Sequence, residues 1–254
     1  MNIAVLVKQV PDPNAVKLDP RSGDILPGTA QVPNEYDLVA AEAAVRLAET
    51  FDGVQIVAVT AGNARETLNR CLAMGVDRAV ALSSSVSSLD SLATARVLAS
   101  WLKTDTFDLI LTGQEASDGG TGNVAPQLAA LLDLPIVSNV IGLEYQNDNL
   151  TLKREIEDGH QVVTVQTPAV LSVLTALNEA RHPTLKGIMA SRRKPTDAVN
   201  ADLSTDELAP VVSWGSLFAD EQVAAGVIVR DEPPEEMVDK LMAFLAERKL
   251  IEPA

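Results

Sequence analysis

The chain has 254 residues and a formal net charge of −15 at pH 7, with 46% hydrophobic and 22% charged residues. This hydrophobic content supports a buried core and excludes disorder over most of the chain, and the acidic charge argues against nucleic acid as a partner. Phe, Trp and Tyr together make up 3% of the residues, so the core must be aliphatic and few rings are available to stack on a flavin or a base.

The first predicted element is a strand at residues 3–7. This apolar run reaches Lys8 and Pro11 before it could act as a signal peptide or span a membrane, so we expect a protein that is not membrane-embedded. Cys71 is the single cysteine, which excludes an internal disulfide and a cysteine-based zinc or iron–sulfur site. A reducing, cytoplasmic compartment is therefore the expected location.

Strands and helices alternate through the first half of the chain. The apolar runs predict strands at 3–7, 54–59, 79–82 and 109–111, and the helical periods predict helices at 36–49, 64–74, 89–102 and 122–132. Such alternation is typical of βαβ units, and near-continuous apolar strands indicate helices on both faces. Asn34 with Asp37, and Asn63 with Glu66, have the spacing of helix-capping pairs. The predicted fold class is α/β, with a doubly wound, mostly parallel sheet.

The pattern changes beyond residue 135. Short extended segments at 143–145, 150–156 and 162–165 are joined by turn residues at 146–149 and 158–159, and a further strand is predicted at 169–173. Asp158-Gly159 is a strong hairpin signal, so antiparallel strands are added to the parallel sheet. Residues 191–220 lack a sustained period and precede a helix at 235–249. We therefore predict two parts, an α/β domain at 1–190 and, at 191–254, an extended arm and C-terminal helix that dock on a partner.

The sequence argues against hydrolytic catalysis. His160 follows a predicted hairpin turn and His182 precedes Pro183, so neither belongs to a zinc-binding helix or a serine triad. Cys71 lies inside a predicted helix, where a small buried hydrophobe is expected rather than a nucleophile. An adenylating enzyme that uses ATP is an alternative with the same architecture, but its Ser-Gly-Gly-x-Asp loop is replaced by SDGGT at 117–121.

A glycine-rich loop at 113–124 follows a predicted parallel strand and leads into a helix. Glycines let a backbone approach a ligand closely, and the amides of a helix N-terminus suit a phosphate. The loop has neither a Walker motif nor a dinucleotide fingerprint, and a flexible surface loop explains it equally well. If its strand neighbours the first strand, however, the loops after Lys8 and Thr112 face one crevice at the switch point, where such folds bind nucleotides.

A basic segment at 181–194 reverses the local field of this acidic chain. It contains six basic residues counting His182 and no acidic residue, and Leu185, Ile188 and Met189 stand among them. An apolar anchor within a charged rim is the composition of a docking segment. Periodicity alone, however, favours a solvated amphipathic helix packed on its own domain.

Several separate motifs together resemble the β subunit of electron-transfer flavoprotein. The most specific are KREIEDGHQ at 153–161 and TPAVLS at 167–172; the others are VLVKQVPD at 5–12, NEYD at 34–37, AEAAVRL at 41–47, LAMGVDRA at 72–79, LNEAR at 177–181 and TLKGIM at 184–189. Leu152, Glu35 and the pair Gly119-Gly120 depart from the usual family pattern. The resemblance covers roughly residues 1–200 and, more loosely, the C-terminal helix.

The resemblance implies an electron-transfer carrier subunit and not an enzyme. In this family the β chain forms a heterodimer with an α subunit that holds the redox-active FAD. The heterodimer carries electrons from flavin dehydrogenases, such as acyl-CoA dehydrogenases, to a quinone reductase. The resemblance also implies an adenine-nucleotide pocket, usually filled by AMP, and a protruding recognition loop, which reverses the preference stated above for the basic segment.

The resemblance assigns residues to three roles. The nucleotide pocket takes Leu6, Asn34, Glu35, Tyr36, Asp37, Ala61, Gly113, Gln114, Glu115, Ala116, Ser117, Asp118, Gly119, Gly120, Thr121, Gly122, Asn123 and Val124. Partner recognition takes Arg181, Leu185, Lys186, Ile188 and Met189, with Leu185 entering a hydrophobic pocket of the dehydrogenase. Glu155 corresponds to a glutamate that positions the flavin domain.

The nucleotide in the β pocket has two alternatives. Bifurcating relatives hold a second FAD there instead of AMP, and the glycine-rich loop could admit either. The 3% aromatic content offers little ring surface for a second isoalloxazine. We therefore expect AMP.

Overall fold

The computed structural model describes residues 1–19, 22–86, 89–146, 148–213, 215 and 228–251, and these form one large sheet with helices on both faces and a separate sheet of two short strands. The strands are β1 (Asn2–Leu6), β2 (Gln9–Pro11), β3 (Gln31–Pro33), β4 (Gln55–Ala61), β5 (Arg78–Ser83), β6 (Leu109–Gly113), β7 (Ile136–Gln146), β8 (Asn149–Ile156), β9 (Gly159–Gln166), β10 (Ala169–Val173) and β11 (Thr196–Asn200). The helices are α1 (Glu35–Thr50), α2 (Arg65–Met74), α3 (Ser91–Leu102), α4 (Val124–Leu132), α5 (Leu185–Ser191) and α6 (Pro234–Glu247), with a 3₁₀ turn at Thr175–Leu177.

The large sheet has the strand order β11-β5-β4-β1-β6-β10-β7-β8-β9. Neighbours from β11 to β7 are parallel, whereas β7, β8 and β9 pair antiparallel. β1 lies between β4 and β6, and the chain order reverses there, which makes the β1–β6 boundary the switch point. The predicted doubly wound sheet with antiparallel additions is confirmed.

The core is aliphatic and lies in two layers, one on each face of the sheet. Ile3 and Val5 of β1 pack with α1 and α2, whereas Ala4 and Leu6 pack with α3 and α4. Because successive side chains of a strand point to opposite faces, burial on both faces explains the uninterrupted apolar runs. Cys71 is fully buried, and burial raises the pKa of its thiol to about 12, as expected for a core residue and not for a nucleophile.

The chain after residue 190 contributes to the α/β layers before it reaches the C-terminal helix. β11 pairs with β5 at the edge of the sheet, and Leu208 is fully buried in the second core layer. The Asp90 carboxylate caps α3 by accepting from the amide of Ala93, and it also accepts from the amides of Val211 and Val212. The predicted division at residue 190 stays a prediction, and residues 214 and 216–227 of the predicted arm lie outside the described part.

Two details of the predicted elements are wrong. Asn34 is the N-cap residue of α1, but its side chain makes no capping bond, and α2 begins after Ala64 and not at a capping Asn63. The sequence also gave no sign of β2, β3 and β11. The side chain of Asn34 is used instead in a long-range contact, described next.

Candidate functional site

The candidate site lies at the carboxyl ends of β1, β4 and β6. Leu6 pairs with Val59 on one side and with Thr112 on the other, so Ala61 at the end of β4 and Gly113 at the end of β6 flank the end of β1. The loops that follow β1 and β6 therefore meet at the switch point, as expected from the sequence. The N-terminus of α1, which carries Asn34 and Asp37, closes the base of this crevice through the contacts below.

Asp37 ties the two central strand ends together from beneath. Its carboxylate is buried and accepts one hydrogen bond from the amide of Lys8 (2.7 Å) and one from the amide of Gly113 (3.2 Å). The two hydrogen bonds lower the pKa of Asp37, but burial has the larger effect and raises it to about 7. Asp37 therefore holds the backbone on both sides of the crevice in place, through Lys8 on one side and Gly113 on the other.

Gly113 has no room for a side chain. A Cβ at this position would stand 2.4 Å from Asp37 Oδ1 and 2.6 Å from Tyr36 Cβ, far inside van der Waals contact. The close approach of β6 to the start of α1 therefore requires glycine at this position. The sequence indicated a glycine near a ligand, whereas the structure shows a glycine that lets two elements touch.

Asn34 joins α1 to the glycine-rich loop. Its Nδ2 donates to the carbonyl of Glu115 (2.8 Å), and its Oδ1 accepts from the amide of Ser117 (3.2 Å). The side chain is buried, so these bonds satisfy an amide that would otherwise be costly to bury. The first half of the loop is thus held by a residue that lies 81 positions before Glu115 in the chain.

Lys8 crosses the crevice and was not predicted as a site residue. Its Nζ lies 2.7 Å from both carboxylate oxygens of Asp118, which belongs to the loop after β6. An exposed ion pair of this kind contributes only about 0–1 kcal/mol, but it neutralises the nearest carboxylate of the loop. The position of Lys8 directly after an apolar strand was the signal that could have identified it.

Gln114 anchors the other wall of the loop through contacts that the sequence did not indicate. Its side-chain Oε1 accepts from the hydroxyl of Ser172 on β10 (2.7 Å) and from the backbone amide of Asn139 on β7 (3.1 Å). Its backbone amide donates to the carbonyl of Val173 (2.9 Å). Gln114 therefore joins three strands behind the crevice and is a structural member of the predicted site.

The second half of the loop leads to the N-terminus of α4. Gly120 and Gly122 have φ near +60°, a conformation that glycine adopts without strain. The first amides of a helix have no acceptor within it, and the first turn of α4 has no acidic residue to neutralise them. These features fit a nucleotide phosphate, with Ala116, Gly119, Thr121, Asn123 and Val124 in the surrounding loop and helix start.

The basic segment forms a separate surface. Helix α5 exposes Leu185 (78%), Ile188 and Met189 (60%), and Lys186 is also exposed. Thr184 caps this helix by accepting from the amide of Gly187. Arg181 differs from the other predicted recognition residues because Glu42 and Glu49 bind its guanidinium. The structure thus brings together the apolar residues but turns Arg181 inward.

Glu155 lies apart from both groups. It is exposed on β8, where it pairs with His160 of β9, four strands from β1 in the sheet. Glu35 is likewise exposed at the first position of α1, whereas Tyr36 is half-buried. Within the described residues, no helix is long and apolar enough to cross a membrane, and no group of acidic, cysteine or histidine side chains could hold a metal ion.

The strand order and the crevice together define a doubly wound α/β protein of the class that binds ligands at its switch point. Sequence comparison is more specific, because the electron transfer flavoprotein domain matches residues 27–204. The chain belongs to the electron transfer flavoprotein β-subunit family, whose members are electron carriers rather than enzymes.

Three relatives illustrate the extent of the similarity. The electron transfer flavoprotein subunit beta of Bacillus subtilis is 33% identical over 99% of this chain and the full length of the relative. The subunit beta of Thermoanaerobacterium thermosaccharolyticum is 36% identical over 80% of this chain and 79% of its own length. The caffeyl-CoA reductase-Etf complex subunit CarD of Acetobacterium woodii is 36% identical over 77% and 76%, respectively.

Proposed function

We propose that this chain is the β subunit of a cytoplasmic, heterodimeric electron-transfer flavoprotein, in which the α subunit mainly holds the FAD. The heterodimer carries electrons from flavin dehydrogenases to a quinone reductase or another acceptor. The observation that carries the proposal is the crevice at the β1–β6 boundary, where Asp37 binds the backbone that follows both strands and the glycine-rich loop leads into the N-terminus of α4. Backbone amides in such a crevice suit the phosphate of a nucleotide, and in this proposal the redox chemistry belongs to the FAD of the partner.

The nucleotide in this crevice is proposed to be AMP. Of the residues assigned to it, only Tyr36 carries an aromatic ring, so a second isoalloxazine would find little surface for stacking. The pairing of Asp118 with Lys8 reduces the charge repulsion that a phosphate would meet. AMP needs a phosphate site and an adenine site and no flavin environment.

Extraction of the bound small molecules tests this assignment. The chain would be produced together with its α subunit, the heterodimer purified and denatured, and AMP and FAD separated and counted against protein. We expect one FAD and one AMP per heterodimer. Two FAD molecules would replace the AMP proposal with the bifurcating form, and copurification without any flavin would contradict the proposal as a whole.

Helix α5 is proposed as the surface that meets the dehydrogenase. Leu185 is its most exposed apolar side chain, and an anchor of this kind at the centre of a basic rim suits a pocket surrounded by acidic residues. The relative that is a subunit of a caffeyl-CoA reductase-Etf complex supports a partner that acts on CoA thioesters. Glu155 is proposed to position the flavin domain from the exposed face of β8.

A further inference from the structure

Arg181 stands where the chain enters the α5 region, and it is held by two carboxylates of α1. Its Nε lies 2.7 Å from Glu42 Oε2, and its Nη2 lies 3.0 Å from Glu42 Oε1 and 3.0 Å from Glu49 Oε2. The amide of Arg181 also donates to Glu42. Glu42 is 2% exposed, so this is a nearly buried carboxylate with a bidentate partner.

The electrostatics of the contact are consistent with a fixed geometry. Burial opposes the charge on Glu42, but hydrogen bonds from Arg181 and Arg46 hold its pKa below the ordinary value. Hydrogen bonds to Glu49 and Glu42 raise the pKa of Arg181. Arg181 therefore stabilises the ionised forms of Glu42 and Glu49, and both carboxylates stabilise its charged guanidinium.

Two further contacts fix the segment beyond Arg181. Lys194, at the other end, donates to the carbonyls of Leu72 and Val76 at the C-terminal end of α2 (3.0 and 2.6 Å). Gly187 lies so close to α2 that a Cβ there would be 2.4 Å from the carbonyl oxygen of Ala73. The segment is thus attached to α1 and α2 at its start, middle and end.

The first and last cations of the basic segment are consequently used inside the chain. Within the described residues, no carboxylate lies within ion-pair distance of Lys186, Arg192 or Arg193, so these are the cations that a partner can meet. We infer that Arg181 is a positioning residue: clamped by Glu42 and Glu49, it fixes the orientation in which α5 presents Leu185 and Met189. This inference rests on the docking role proposed above.

If α5 already has a fixed orientation before docking, less conformational entropy is lost when it binds the partner. A clamp residue and a contact residue make opposite predictions when the neighbouring acid is neutralised. If Arg181 acted on the partner through its charge, loss of Glu49 would expose that charge and strengthen binding to an acidic rim. If Arg181 positions α5, loss of Glu49 loosens the helix and weakens binding.

The test uses the heterodimer as the electron acceptor of a purified acyl-CoA dehydrogenase reduced by its acyl-CoA. Glu49 is 57% exposed, so the variant Glu49→Gln should fold normally. We expect it to raise KM for the heterodimer by about threefold to tenfold, the effect of losing one charge-assisted hydrogen bond. The value of kcat should not change. Arg181→Lys should raise KM similarly, because an ammonium cannot bridge both carboxylates. Amide hydrogen exchange in residues 184–191 should be faster in both variants.

Two controls separate the inference from the function on which it rests. Glu179→Gln removes an exposed carboxylate that lies just before the basic segment and does not bind Arg181, and it should not raise KM. Leu185→Ala should raise KM through the anchor itself, and if it does not, the docking role fails. If Leu185→Ala raises KM while Glu49→Gln leaves it unchanged or lowers it, or if Arg181→Lys keeps the wild-type KM, the positioning role is overturned.

Discussion

Gly113 is the residue on which the geometry of the crevice depends most directly. We expect Gly113→Ala to lower the free energy of unfolding by about 1–3 kcal/mol, the usual effect of overpacking, because the new Cβ would overlap Asp37 and Tyr36. Urea denaturation measures the change. Gly119→Ala is the matched control, since a Cβ there meets nothing within 4 Å, and its effect should stay within about 0.5 kcal/mol. Equal effects of the two substitutions would contradict the close contact.

Asp37 gives the stability of the protein a specific pH dependence. Its folded-state pKa of about 7 lies above the ordinary value of 3.8, so between these values the folded state binds a proton that the unfolded state releases. Stability contributed by this group is therefore present at low pH and is lost as the pH rises to about 7.

The variant Asp37→Asn removes this titration while it keeps the shape of the side chain. The difference in free energy of unfolding between wild type and variant should decrease from about pH 4 to about pH 7 and then stay constant. Urea denaturation at a series of pH values gives this difference, in which the shared titratable groups cancel. A difference that increases with pH would mean that the hydrogen bonds from the amides of Lys8 and Gly113 lower the pKa of Asp37 more than burial raises it.

At the scale of the elements, helix α6 has an apolar face but no buried residue. Val238, Leu241 and Met242 are exposed on it, in the spacing of one helix face. We expect Leu241→Glu to raise the Kd of the heterodimer by at least about tenfold, because a charge would enter an apolar contact. The melting temperature of the isolated chain should not change.

Ala243→Glu is the matched control for this prediction. It adds the same charge to an exposed position on the opposite side of α6, so it should leave the Kd of the heterodimer close to the wild-type value. Sedimentation velocity of the mixed subunits measures both variants. Similar weakening by both substitutions would show that added negative charge, and not loss of an apolar contact, is responsible.

Elements that are buried on both faces were predictable from the sequence, and elements at the edges were not. β1, β4, β6 and β10 are mostly apolar and mostly buried, because helices cover both sides of the sheet. β11 has the sequence TDAVN and lies at the edge with mostly exposed residues, so its pattern carries no alternation or apolar run to detect. β2 and β3 are three residues long and each ends at a proline, which is a weak strand signal.

At the scale of the whole molecule, the location of the crevice was predictable but its construction was not. Parallel topology puts the loops after β1 and β6 together, and that follows from element order alone. Asn34 and Asp37 have the spacing of a local helix cap, yet both side chains bond to the distant loop or strand ends. A local pattern cannot distinguish these uses, because the alternative partners are defined only after the sheet has formed.

The central place of β1 has a consequence for how the chain is made. Ile3 leaves the ribosome well before one of its two neighbours in the sheet, Leu109, has been made. At ordinary rates of synthesis, roughly 5–20 s pass before that partner exists. During this interval one edge of the apolar strand β1 is unpaired, so the order of translation leaves a segment that a chaperone can bind until β6 has emerged.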